Sequence, residues 1–311
     1  MKKNSLLSTS AAILGLAACL APSANAQTWT SNSTGGNWSV SGNWTPATIP
    51  TTGNTANLTD ATASRIVTYD AAASGALGTL NFTETSAFTN QLTVLKNLTV
   101  TNAITLGATG GGTAALQIGD ASAATMTYTL TATGGINVNS GGLLVLQSSG
   151  PTNTYQALVT GNVTVAGGML KMTALDVLST SQSYVSGALA MSSGNITLSN
   201  PGSAGGTFRL NAASFNLTGG TVTSGNLGNY LWATGSNATN TVSSGVTVSG
   251  AYLLSVAAVG TGNTWNVDAT GLGQFVFRNT TSLANMTKTL QTSVVGGSAS
   301  VNSIGFGVSA T

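Results

Sequence analysis

Histidine is absent from the 311 residues, cysteine occurs once, proline five times, and only 5% of the side chains carry charge. Each shortage excludes something. Without histidine there is no imidazole to relay protons or to ligate a metal, and one cysteine cannot close a disulfide. With so few charges there is no basic patch for nucleic acid or acidic lipid. Beyond residue 26 no apolar run is long enough to cross a bilayer as a helix. No window places apolar residues at the three and four spacing of an amphipathic helix between caps, so helices are not expected. The chain is not a disordered one either. It holds 41% hydrophobic residues, with Val, Leu, Ile and Thr in the place that charge and proline would take in a disordered segment.

The segment 1–26 reads as an export signal: a basic "MKK", an apolar stretch from Leu6 to Leu20, and the small-x-small pair Ala24 and Ala26 before Gln27. Cleavage after Ala26 is the expected processing, giving an exported chain at the cell surface or outside the cell. The alternative is the "LAAC" at Leu16 to Cys19, which is similar to a lipoprotein signal and would make Cys19 a lipidated first residue of an outer-membrane lipoprotein. Removal of Lys2 and Lys3 with the leader reduces the eight basic residues to six, equal to the six acids.

What the chain does have is alternation broken by glycine. "GNVTVAGGMLKMT" at 161–173 sets apolar side chains on every second residue, stops at a glycine pair, and resumes. "INVNSGGLLVL" at 136–146, "ALAMSSGNITL" at 188–198, "FNLTGGTVT" at 215–223 and "VSSGVTV" at 242–248 do the same. The landmark glycines Gly142, Gly168, Gly194, Gly220 and Gly245 fall at intervals of 26, 26, 26 and 25. Alternation means strands with one buried face, and glycine marks a bend. A fixed period of this length is the signature of a solenoid or a propeller, whose units bury their apolar sides only against neighbours. The expected fold is therefore all-β, with parallel strands stacked in coils of about 26 residues; its hand, that of a right-handed parallel β-helix (β-solenoid), is what the family resemblance given below implies. At about 4.8 Å per coil the exported chain would make a rod on the order of 50 Å long.

Four regions follow from texture: 1–26 as the signal, 27–89 as a Trp-rich N-terminal cap with the first strands, 90–271 as the solenoid repeats, and 272–311 as a final coil or truncated continuation. Trp29, Trp38 and Trp44 are expected to pack as a cap over the open end of the stack. Their alternative role is an exposed platform for glycan contact. Between Gly107 and Thr113, "GATGGGT" departs from the regular spacing and reads as a turn of different size. It lacks the Gly-Lys-Ser/Thr ending of a phosphate loop.

"NTYQALVTGNVTVAGGMLKM", residues 153–172, resembles the autotransporter-associated β-strand repeat, with Tyr155, Val163, Val165, Gly167, Gly168, Leu170 and Met172 in its places. The resemblance implies a right-handed β-helix passenger at a bacterial surface, without enzyme activity. Such passengers end in a membrane barrel, and the segment after residue 271 is too short for one, which leaves a stand-alone rod or a piece of a longer protein.

Catalysis finds little support. Two acids would share a column in this register if their numbers differed by one or two coil periods, whereas Asp120 and Asp176 differ by 56 and Asp176 and Asp268 by 92. A polysaccharide-degrading site needs convergent carboxylates, and no catalytic residue, metal or cofactor is expected. The Thr-x-Thr pairs at Thr99 and Thr101, Thr127 and Thr129, and Thr221 and Thr223 read as the polar half of ordinary alternation; one flat exposed column would make them a contact surface. The expected function is an exported structural or adhesive scaffold, with surface polysaccharide or extracellular matrix as partner. A carbohydrate-binding module is the alternative.

Overall fold

Residues that alternate apolar and polar can satisfy their backbone only by pairing with other strands, and in so regular a repeat the natural partner is the same segment one coil away. The computed structural model describes residues 25–30, 35–59, 61–120, 127–148, 157–174, 181–199, 208–224, 230–250, 254–258, 263–269, 275–279, 290–291 and 304–308. They form a parallel β-solenoid with three sheets wrapped around one apolar interior. Ser41–Asn43, a single 3-10 turn, is the sole helical element among the described residues.

The first sheet stacks Ala26–Trp29, Thr55–Asn57, Thr79–Glu84, Ile104–Ala108 and Ile136–Asn139, then the opening half of Val163–Ala174. It continues through the middle of Ser181–Ser199, the end of Phe208–Leu217, Thr239–Val242 and Thr264–Val267. The second sheet begins at Gly35–Asn37 and Arg65–Tyr69 and reaches Gly220–Ser224 and Val246–Gly250. The third runs from Ala76–Leu77 and Leu98–Val100 to Phe275–Asn279 and Ile304–Val308. Apart from one antiparallel pair at the N-terminal end, all these pairings are parallel. Parallel stacking therefore crosses both the 89/90 and the 271/272 boundaries drawn from texture, without interruption.

Inward side chains form ladders. On the second sheet Val67, Leu92, Leu116, Leu144, Leu170 and Ile196 succeed one another directly, and Val222 and Val248 follow. All are buried, and each contributes about 1.5–3 kcal/mol relative to an exposed position. On the first sheet Phe82, Leu106, Val138, Val165, Met191 and Leu217 do the same. Val165 is fully buried while Thr164 points outward, as the alternation requires.

The period is strict only in the middle. Leu143, Met169, Asn195, Thr221 and Thr247 pair in succession, each one full period after the last. Earlier, Asn81 pairs with Thr105 at 24, and Ile104 with Ile136 at 32. At the first-to-second-sheet corner, a Cβ on Gly194 would come within 2.3 Å of the Gly168 carbonyl oxygen, and one on Gly220 within 2.6 Å of that of Gly194. Both have a left-handed φ, +88° and +98°, so backbone stacks on backbone where only glycine fits. Gly245 lies against the Thr218 carbonyl instead, where a Cβ would come within 2.3 Å of the oxygen: the shortened last interval in the sequence is a shift within the corner, since the sheet pairing there, Gly220 with Val246, still advances 26.

Candidate functional site

The N-terminal end is closed by aromatic packing. Trp44–Thr45 runs antiparallel to Ala26–Trp29 and covers its outer edge, pairing Trp29 with Trp44. Trp29 and Trp44 meet edge to face at 5.0 Å, Trp38 and Trp44 at 4.6 Å, and Trp38 and Tyr69 at 5.2 Å. Trp44 Nε1 donates to the Trp38 carbonyl at 2.9 Å. All three tryptophans are at most 3% exposed. They form the expected cap, and the alternative of glycan contact through Trp29, Trp38 or Trp44 is corrected here: a sugar stacks on an open ring face, and none of the three presents one. Ala26 starts the first strand, paired with Thr55; Ala24, Cys19 and Tyr155 lie outside the described residues.

The described charged residues of the first coils are committed to structure. Arg65 Nε donates to Asn90 Oδ1 and its Nη2 to the Thr59 carbonyl, both at 3.0 Å. Buried Glu84 accepts from the Ala61 and Ser86 N–H groups, each at 2.9 Å, and from the Ser86 hydroxyl at 2.6 Å. Lys96 Nζ donates to the Ala71 and Ala73 carbonyls. Asp70 accepts from the Ser39 N–H at 3.0 Å and its hydroxyl at 2.6 Å. Partial burial pushes the Asp70 carboxyl up, but the bonds from Ser39, with N–H groups at Asp70 and Ala72, outweigh it and hold it below the usual carboxylate range. Burial, and next to it the Asp70 charge, pushes the Tyr69 phenol up. Each of these groups ties one stretch of chain to another. Among the described residues no three of His, Cys, Asp and Glu gather at a metal-binding distance.

Farther along, sequence reasoning passed over Arg209, whose guanidinium lies 4.4 Å from the Trp232 ring on the third sheet. Trp232 is 6% exposed, so this pair too is packing. The three Thr-x-Thr pairs do not share one column. Thr99 and Thr129 belong to the third sheet, in Leu98–Val100 and Tyr128–Ala132, while Thr221 and Thr223 belong to the second, in Gly220–Ser224.

A column does exist elsewhere. On the outward side of the first sheet Thr28 pairs with Asn57, Asn57 with Asn81, Asn81 with Thr105, and Thr105 with Asn137. The same register continues through Thr164, Ala190, Asn216, Thr241 and Asn266. Nine steps at about 4.8 Å make a straight file of about 43 Å, amide or hydroxyl at every position except Ala190. Its first members bond to each other: Asn81 Nδ2 donates to Asn57 Oδ1 at 2.7 Å and Asn57 Nδ2 to Thr28 Oγ1 at 3.3 Å. Its later members were findable in the sequence, because Thr164, Ala190 and Asn216 are 26 apart. Irregular steps of 24 and 32 hid the earlier ones.

The fold thus defines a class, the parallel β-solenoids, and the comparisons take it no further: no family model, no curated protein and no solved structure matches the chain.

Proposed function

We propose that this chain is an exported, non-catalytic β-solenoid that serves as a structural or adhesive element at a bacterial surface or outside the cell, in the manner of an autotransporter passenger. The observation that carries the reading is the continuous inward ladder from Val67 to Val248 on the second sheet. A ladder of that kind resists bending and local opening, because each coil is held by the two beside it. The few described charges of the first coils tie stretches of chain together, which suits a scaffold better than a reaction centre. Surface polysaccharide or extracellular matrix is the proposed partner, and no cofactor enters the mechanism.

Export is proposed through cleavage after Ala26, with lipidation at Cys19 as the other route. Expression of the whole gene in a Gram-negative host tests location: protease added to intact cells, or antibody against the rod, should find it outside. A first residue of Gln27 by N-terminal sequencing supports the cleavage route, and palmitate incorporation lost in Cys19→Ala supports the other. Retention of the full chain in the cytoplasm contradicts both.

A further inference from the structure

We infer that the outward side of the first sheet is a binding face for an extended, uncharged polysaccharide lying along the solenoid axis. The inference rests on the scaffold reading and names the ligand class of its adhesive surface.

Three observations converge on this face. The first is repetition: in every coil of the file but that of Ala190 an amide or hydroxyl recurs at the strand spacing of about 4.8 Å, close to the length of one sugar unit in an extended chain. A polymer laid along the file can therefore meet a hydroxyl or amide at nine of the ten coils it crosses. The second is charge. None of the ten members ionises, and the parallel file two positions away, which includes Thr55, Thr79, Ser214, Thr239 and Thr264, is also uncharged. A uronate or sulfated chain would find no cation there, whereas a neutral hydroxyl-rich chain leaves no charge unpaired.

The third is open hydrogen-bonding capacity. A ladder that existed to brace the coils would pair along its whole length, and only Thr28, Asn57 and Asn81 do so. Among the described residues no hydrogen bond ties up the side chains of Thr105, Asn137, Thr164, Asn216, Thr241 or Asn266. The rigid sheet holds these groups in place, so the ordering cost of binding falls mainly on the ligand.

The other two sheets lack this uniformity. Leu143, Val145, Met169 and Lys171 interrupt the outward side of the second, and Leu158, Tyr184 and Trp232 that of the third.

Co-sedimentation of the full exported chain with microcrystalline cellulose and with chitin, and a gel-retardation assay with polygalacturonate, tests the inference. Retention on at least one neutral polymer, unchanged from low to high salt, is expected. Thr164→Lys combined with Thr241→Lys should weaken retention by about tenfold or more, while Thr197→Lys with Thr223→Lys on the second sheet should not. Thr164→Ala with Asn216→Ala, which introduces no charge, provides the same comparison if the lysine variant melts early. No retention on either neutral polymer, equal retention by column variants and parent, or salt-sensitive preference for polygalacturonate overturns the inference. Small-angle scattering of the same samples keeps the two claims apart. A rod that ignores neutral polymers leaves the scaffold reading standing, and a chain that does not scatter as a rod sinks both.

Discussion

A single inward side chain in a solenoid touches its counterparts above and below, so its replacement is felt by three coils. Val165 sits between Val138 and Met191 in such a ladder. Val165→Asp would bury a carboxylate with no partner and is expected to abolish protease resistance and secretion. Thr164→Asp, one position away on the outer face, should leave both near the parent level; limited proteolysis decides, and equal tolerance of the two would refute the register. Leu170→Ala, a pure cavity, should cost about 2–5 kcal/mol by denaturant titration. Asp70 gives a pH signature. Because its carboxyl is held below the ordinary range by Ser39, it stabilises the cap above that range, and the benefit disappears as pH falls through the lowered value. Asp70→Asn should therefore melt earlier than the parent near neutrality and converge with it in acid, a modest difference because the group is only half-buried. A gap that widens in acid would contradict the assignment.

At the scale of strand and corner, the glycine stack explains why the repeat is legible where it is. Gly194 and Gly220 turn the chain with positive φ while lying against the backbone of the preceding coil. Gly194→Ala meets both a left-handed backbone, costing roughly 1–2 kcal/mol, and a carbonyl at 2.3 Å. Gly42→Ala, with nothing within 4 Å and no such φ, is the control and should be neutral in thermal melts. The alternating stretches from Ile136 to Val248 show the strands, their inward faces and the coil period because the second sheet there advances by 26 at every step, while the steps on the other two sheets vary, as from Arg209 to Tyr230. The first coils were not legible in the same way. The short step from Asn81 to Thr105 and the long one from Ile104 to Ile136 break the visible period, so the first strands of 27–89 are expected from the sequence but their stacking in register with the later coils is not. The outward column escaped notice for a related reason. Alternation tells which side chains face out, but which of them align depends on every corner length between, and Thr-x-Thr pairs drew attention to sheets two and three instead.

For the molecule as a whole, the consequence of coil-on-coil stacking is a rod whose N-terminal end differs from its middle. The tryptophan cap closes the edge of the first sheet with an antiparallel strand, which removes a template for uncontrolled strand addition. Trp44→Ala should loosen this closure, opening the 26–45 segment to proteolysis before the central coils are cut; simultaneous cutting throughout would show that the cap is not a separate barrier. The central claim is that successive coils stack in one continuous register from cap to tail, and a distance along the outward column measures it directly. Asn81 and Asn216 are five steps apart in that file, about 24 Å at the strand spacing. Spin labels on Asn81→Cys and Asn216→Cys, read by pulsed electron–electron resonance on the exported chain, should give one narrow distribution near that separation. A broad distribution, or one centred well away from it, would contradict the register and with it the rod and its binding face.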